Sequence, residues 1–284
     1  MLKTDAAPPR PPQTPLPQPA RDGLRAEGLR LTLGGRAILR GIDLVARPGA
    51  VTAIVGPNGS GKTTLLRALT GEIAGEAGRI TLNGRDIAGM KPWELACWRG
   101  VLPQASAIAF PFTVIEVVGL GLTARAEPGP PDLALRALER VDLAGFAGRF
   151  YHDLSGGEQQ RVQLARVLAQ IWEPVLDGQP RWLILDEPVS SLDIGHQFTV
   201  LEIARAHAAA GGGVLAVMHD LNLTALFADQ VVMLEAGRIA AAGRPAEVMT
   251  DAALSRVYGH PLRVNRLPEP GLPFLLPQAN ARPG

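Results

Sequence analysis

The sequence contains a single cysteine, Cys97, so no intrachain disulfide can form and no cysteine-rich zinc site can be built. Lysine is scarce: Lys3, Lys62 and Lys91 are the only three among 28 basic residues, so each one is worth following. Net charge is nearly absent too, because 28 basic residues face 27 acidic ones for a formal charge of +1. That balance excludes the strongly basic composition expected of a nucleic-acid binder. No run reaches the roughly 18 apolar residues that a bilayer-spanning helix needs. The most apolar region, Ile108 to Leu122, is broken by Pro111 and Glu116. The opening MLKTDAAPPRPP lacks the apolar stretch of a secretory signal, so the chain is expected to stay in the cytoplasm or to lie peripherally on a membrane. What is abundant is core material. Hydrophobic residues make up 46% of 284 positions and charged residues 19%, enough for one large domain or two small ones.

Residues 1–22 hold seven prolines and almost no large apolar side chains, which reads as a disordered or polyproline-like tail. It is either a plain extension or a docking segment for an aromatic groove. From Gly23 the pattern turns globular. Leu29, Leu31 and Leu33 alternate with polar residues as in a half-buried strand, and Val51 to Val55 reads as a buried parallel strand. Lys62 to Leu69 carries Leu65, Leu66 and Leu69 at helical spacing. Asn83-Gly84 between Arg79–Leu82 and Arg85–Ile87 is a hairpin signal. Residues 88–174 read as mostly helical with loops, interrupted at Pro128, Pro130 and Pro131. Ser155 with Glu158 fits a capping box, followed by an apolar face of Val162, Ala165, Leu168 and Ala169. Trp182 to Leu185 and Val214 to Met218 are further buried strands, ending in Asp186 and His219. Val231–Leu234 and Arg238–Ala241 flank a turn at Gly237. Strands alternating with helices, each ending in polar residues, predict an α/β sheet with its site at the strand C-termini.

Three motifs carry chemistry. Gly56-Pro57-Asn58-Gly59-Ser60-Gly61-Lys62-Thr63 matches G-x-x-x-x-G-K-[ST] in full, follows a predicted strand and opens a predicted helix. Glycines let successive N–H groups point at phosphate oxygens, and the helix adds its positive end. Lys62 can reach the β- and γ-phosphates, the Thr63 hydroxyl can ligand Mg2+, and Thr64 extends the phosphate-binding set. Trp182-Leu183-Ile184-Leu185-Asp186-Glu187 presents two carboxylates at a buried strand end, Asp186 for Mg2+ through water and Glu187 to polarise an attacking water. In Leu154-Ser155-Gly156-Gly157-Glu158-Gln159, the paired glycines bare N–H groups at a helix start, a second anion site. One phosphate loop and one distant anion site suggest dimerisation, with Ser155 of one copy capping the γ-phosphate held by Lys62 of the other.

In the order phosphate loop, Gln104, Leu154–Glu158, Asp186-Glu187, Ser191-Leu192-Asp193 and His219, the chain resembles the ATP-binding subunits of ABC transporters, over about Gly23 to Pro270. The resemblance implies a RecA-like P-loop NTPase core of α/β class, with an antiparallel β part and an inserted helical subdomain at about residues 88–174. The ATP-binding domain would span 23–270, with tails at 1–22 and 271–284. It implies that Gln104 contacts Mg2+ and the attacking water, that His219 contacts the γ-phosphate, and that Asp193 communicates between two sites. ATP and Mg2+ would be bound, with Ser155, Gly156, Gly157 and Glu158 completing the nucleotide site of a homodimer. One element departs from the pattern: the first-strand position that often carries an aromatic to stack on adenine is Leu33, which puts adenine selectivity in doubt.

The chain has one cassette and no span of its own, unlike fused exporters. Val101 to Gln104 and Ala109 to Val118 resemble importers of iron complexes and cobalamin. Phe110-Pro111-Phe112-Thr113-Val114, with His152-Asp153 before the capping turn, is most similar to haem importer subunits. That resemblance implies an ATPase on the cytoplasmic face of the inner membrane, bound to two permease copies and served by a periplasmic or surface haem-binding protein. Ferric siderophore or cobalamin import, and a soluble clamp without a permease, are the alternatives. Phe110 and Phe112 either pack in the core or grip a permease helix. Direct haem binding would have only His152 and Cys97 as nearby ligands, and no haem motif surrounds them.

Overall fold

The computed structural model describes residues 23–104, 108, 110–125, 129–269, 271, 273 and 275. The proline-rich segment 1–22, Pro128 and most of 271–284 lie outside the described residues.

The chain opens with antiparallel strands β1 (Leu24–Leu33) and β2 (Arg36–Ala46), then the buried strand β3 (Val51–Val55) and helix α1 (Lys62–Leu69). A hairpin follows, β4 (Ala77–Leu82) and β5 (Arg85–Asp86), with Asn83 and Gly84 both at positive φ in its turn. Helix α2 (Pro92–Trp98) leads into β6 (Arg99–Leu102). Three helices come next, α3 (Val114–Leu122), α4 (Leu133–Arg140) and α5 (Gly156–Gln170). A short ribbon, β7 (Val175–Leu176) and β8 (Gln179–Pro180), precedes β9 (Trp182–Asp186). The rest alternates: α6 (Ile194–Ala209), β10 (Gly213–Val217), α7 (Leu221–Phe227), β11 (Gln230–Glu235), β12 (Arg238–Gly243), α8 (Pro245–Val248) and α9 (Asp251–Tyr258).

These strands form a six-stranded sheet in the order β12-β11-β3-β10-β9-β6, parallel except for β12, and a four-stranded antiparallel sheet in the order β2-β1-β4-β5. All residues of β3, β9 and β10 are buried, as continuous apolar runs in a sheet covered on both faces must be. The period-2 alternation sorts them between two cores. Ile54, Trp182, Ile184 and Leu215 face α1 and the antiparallel sheet, meeting Leu65, Leu66, Leu69, Leu29 and Leu31. Ala53, Val55, Leu183, Leu185 and Ala216 face the other way, onto α5, α6 and α7. The expected apolar face of α5 is there, with Val162, Ala165, Leu168 and Ala169 at most 3% exposed.

Two features depart from the local reading of the sequence. Within residues 88–174, β6 is a strand at the edge of the six-stranded sheet, in register with β9, so this stretch is not helical throughout. Its four residues RGVL are too short for their periodicity to separate strand from helix. Asn83 does more than turn a hairpin: its Oδ1 accepts from Trp182 Nε1 at 3.0 Å and its Nδ2 donates to the Pro180 carbonyl at 2.8 Å, pinning the small sheet to the start of β9. The three helices pack closely. A Cβ on Gly121 of α3 would run into the Arg166 carbonyl of α5, so this crossing requires glycine. Arg161 of α5, 7% exposed, donates to the carbonyls of Val141 (2.9 Å) and Asp142 (3.1 Å), closing the end of α4.

Buried His207 of α6 lies with Nε2 3.0 Å from the Arg181 carbonyl. Burial lowers its pKa below the ordinary 6.5, with the Arg181 carbonyl opposing the shift. As pH falls, the unfolded chain therefore takes up this proton first. The stability His207 contributes is complete above its unfolded value and is lost as pH falls toward the folded one. Between about pH 7.5 and 5.5 the thermal midpoint of the unsubstituted chain is expected to fall relative to that of His207→Gln, whose amide still reaches the carbonyl but does not titrate. The opposite contribution of Asp186, whose pKa is pushed up to about 6, is common to both proteins. Equal slopes for the two proteins would contradict this.

Candidate active site

The carboxyl ends of three neighbouring parallel strands gather the site. Gly56 follows β3, Asp186 ends β9, and His219 lies just past β10. Gly56 has φ 149°, and a Cβ there would strike the Leu234 carbonyl and come within 2.9 Å of Ser60 Oγ, so no other residue fits. The loop is pinned by Ser60 N–H to the Pro57 carbonyl (3.2 Å) and Gly237 N–H to the Ser60 carbonyl (3.0 Å). Asn58 and Gly59 stand exposed at its crown, Ser60 is buried, and Thr63 and Thr64 are half-buried on the first turn of α1. No side chain caps α1, whose N-cap residue is Gly61, so its first N–H groups face the loop without a side-chain acceptor.

Lys62 is 6% exposed and folds back over the loop, donating to the carbonyls of Gly56 (2.9 Å) and Pro57 (3.1 Å). Burial lowers its pKa, while Glu187 and Asp186 nearby act to raise it. Asp186 is 4% exposed and its Oδ1 has no hydrogen-bond partner among the described residues. Burial first, and the Glu187 carboxylate second, push its pKa up to about 6, with His219 and Lys62 opposing. A buried carboxylate oxygen without a donor is the environment that a bound cation or its water satisfies. Ser60 Oγ is likewise buried and without a partner among the described residues. Asp186, the Thr63 hydroxyl and Gln104, the residues expected to hold Mg2+, offer oxygen atoms of the kind that cation takes, and the cradle of N–H groups around Lys62 has the chemistry for a polyphosphate.

Glu187 collects partners from distant segments. Gln104 Nε2 donates to its Oε2 at 2.8 Å, and His219 Nε2 lies 2.5 Å from its Oε1. These three residues, 83 and 32 positions apart, form one line of side chains beside Asp186. The turn of Ser155, Gly156, Gly157 and Glu158 lies elsewhere. Ser155 caps α5 by accepting from Glu158 N–H (3.3 Å), and Glu158 Oε2 accepts from Ser155 N–H (2.8 Å) and Oγ (2.7 Å), which lowers the Glu158 pKa. It borders an open cleft shared with Ser191, Asp193 and His196. Among the described residues no hydrogen bond joins this turn to the phosphate loop. Asp193 caps α6, accepting from His196 N–H at 3.0 Å and facing His196 Nδ1 at 2.8 Å.

Leu33 is 46% exposed at the end of β1, opposite Arg36. The two phenylalanines divide: Phe112 packs against the core, whereas Phe110 is 70% exposed. His152 Nε2 meets Asp153 at 3.2 Å and Cys97 Sγ donates to the Trp93 carbonyl at 3.3 Å. The sequence reading missed Gln160, whose Nε2 donates to the Glu187 carbonyl at 3.2 Å, and Ser190, whose Oγ donates to the same carbonyl at 3.2 Å. Neither had a local signal beyond its proximity to a motif.

Comparison with known proteins bears on the fold and the family. The ABC transporter family model matches residues 39–190. The hemin import ATP-binding protein HmuV of Jannaschia sp. (strain CCS1) is 64% identical over 261 residues, covering 92% of this chain and 96% of that protein. The protein of the same name from Rhizobium meliloti (strain 1021) is 60% identical, covering 90% and 98%. Among solved structures, the ADP conformation of an ATP-binding cassette of an ABC transporter superposes with a TM-score of 0.72 at 26% identity, covering 84% of this chain and 98% of that one. A bacterial Atm1-family ABC exporter with ATP bound gives 0.70 at 26% identity, covering 86% and 41%. With its phosphate loop, its paired carboxylates and relatives matched over nearly their full length, the chain belongs to the ABC transporter family, as one of its ATP-binding proteins.

Proposed function

We propose that this chain hydrolyses ATP as a head-to-tail homodimer and thereby energises haem (hemin) uptake through a transmembrane permease on the cytoplasmic face of the inner membrane. The observation that carries the chemistry is Glu187, held between Gln104 and His219 beside Asp186 and the Lys62 loop. The cargo rests on the relatives at 64% and 60% identity, both named as hemin import ATP-binding proteins. Residues 56–64 bind the phosphates, with Lys62 leaving its two carbonyls for the β- and γ-phosphate oxygens. Asp186, Thr63 and Gln104 hold Mg2+, which when bound offsets the phosphate charge. Glu187 takes a proton from water as the water oxygen bonds to the γ-phosphorus, and the bond to the bridging oxygen of ADP breaks. His219 contacts the γ-phosphate and steadies Glu187, and Gln104 orients the water.

Ser155, Gly156, Gly157 and Glu158 of the second copy complete each site. ATP favours the closed pair because it touches both partners only there, and hydrolysis releases them. Two permease copies bind the dimer, and a haem-binding protein delivers cargo from the other side. Among the described residues no helix is long and apolar enough to cross a membrane, which suits a peripheral subunit.

The test is ATP turnover of the chain reconstituted with its co-purifying permease in liposomes. Haem-loaded binding protein is expected to stimulate turnover over the same protein empty or carrying a ferric siderophore. Stimulation by the siderophore or cobalamin form instead would move the cargo. Absence of any co-purifying membrane protein would favour a soluble clamp.

A further inference from the structure

The backbone that carries Glu187 is held in an uncommon shape. Its φ is 52°, a left-handed geometry that a side chain with a Cβ rarely adopts and that persists only where neighbours hold it. Glu187 N–H donates to the Val217 carbonyl at 3.1 Å, tying the turn to β10. The Glu187 carbonyl accepts from Ser190 N–H (3.4 Å) and Oγ (3.2 Å), which are local contacts. The remaining donor comes from far away: Gln160 Nε2, on α5, at 3.2 Å and 27 positions earlier in the chain.

Gln160 is poorly explained by its own packing. Its Oε1 is buried and has no hydrogen-bond partner among the described residues, which costs stability that an apolar side chain of similar length would not cost. It borders a polar cleft that also takes in Gln104, Gln163 and Ser191. Glu187 is therefore gripped at both ends by glutamine amides, its carboxylate by Gln104 and its carbonyl by Gln160. Gln160 sits five residues after Ser155, on the first turns of the helix that the Ser155 turn caps.

We propose that Gln160 is a positioning residue for Glu187: by holding the carbonyl of the left-handed turn it sets the carboxylate between Gln104 and His219, and it couples that placement to the position of helix α5 in the same chain. The inference rests on Glu187 being the base. A displacement of the Ser155 end of α5 relative to β9 is then felt at the base of its own site, in addition to any contact it makes across the dimer.

The experiment uses the full chain with Gln160→Met and Gln160→Glu, each alone and with Glu187→Gln. Met removes the donor. Glu keeps the shape but turns an acceptor toward the carbonyl. Both are expected to lower kcat by about 10²-fold, the scale of loss from displacing a catalytic group by an ångström. KM for ATP and the affinity for ATP should stay within about twofold, since Gln160 does not touch residues 56–64. In the Glu187→Gln background, Gln160→Met should lower residual turnover no further, because two changes acting through one group do not add. A kcat within about threefold of the unsubstituted chain in both single variants would overturn the proposal. So would an additive loss in the double variant, or loss of the folded state in both single variants, each of which makes Gln160 merely structural. Normal turnover in Glu187→Gln alone would instead remove the base assignment, and is read on a different protein.

Discussion

Glu187→Gln is expected to lower ATP turnover by about 10²- to 10⁴-fold, the usual cost of removing a general base, while ATP still binds and closed dimers accumulate. The amide keeps the shape of the side chain and one oxygen for Gln104 or His219, so the turn after β9 is preserved. What it loses is the basic oxygen. It also removes a negative charge that helps push the Asp186 pKa up to about 6. Asp186 is then ionised more fully near neutral pH, so its capacity to hold Mg2+ is not weakened by the change. The loss should fall on kcat and spare binding. Phosphate release and gel filtration with Mg-ATP measure the two halves, and wild-type turnover would remove Glu187 from the role.

Ser155→Arg is expected to abolish ATP-driven closure and nearly all turnover while single chains bind ATP as before. Ser155 and Gly156 are exposed at the start of α5, and a Cβ on Gly156 would meet nothing within 4 Å, so this end is open for another surface to approach. In the proposed dimer, an arginine there places a long cationic side chain where the second copy's nucleotide would fit. It also removes the cap accepted from Glu158 N–H at 3.3 Å, a loss of about 1 kcal/mol. A modest fall in thermal midpoint is therefore expected too, and is too small to unfold a domain of this size. Because no hydrogen bond among the described residues links Ser155 to the phosphate loop, nucleotide affinity of the separate chain should be unchanged. Hydrolysis surviving at the normal rate would rule out a site shared between copies.

Much of the molecule was legible because its chemistry is contiguous. The loop Gly56 to Thr63 needs its glycines, lysine and hydroxyl in adjacent positions, since one stretch of backbone must wrap one phosphate chain. The capping turn at Ser155 spans a single helical turn, and its bonds to Glu158 are local. The runs Val51–Val55, Trp182–Leu185 and Val214–Val217 read as strands covered on both faces because they are short, rich in β-branched and large apolar residues, and lead into glycine or polar residues.

Gln104, by contrast, has no signature of its own. Taken singly it is an ordinary glutamine, and only its place in an ordered set of motifs singled it out. Its bond to Glu187 exists because β6 and β9 are neighbours in register, which no pattern in RGVL announces. The same is true of Gln160 beside Glu187 and of Asn83 beneath Trp182, contacts across 27 and 99 positions that depend on which face of a helix or hairpin meets which strand. The division of Phe110 from Phe112 was decided there as well, since a single turn of chain exposes one ring and buries part of the other.

By itself, then, the sequence determined the phosphate-loop motif, the capping turn at Ser155 and the class of fold, because hydrogen bonding and apolar periodicity act over a few residues. The tertiary structure alone decided which side chains converge on Glu187 and in what backbone conformation it is held, because that depends on strand order and helix packing, which bring together residues far apart in the chain.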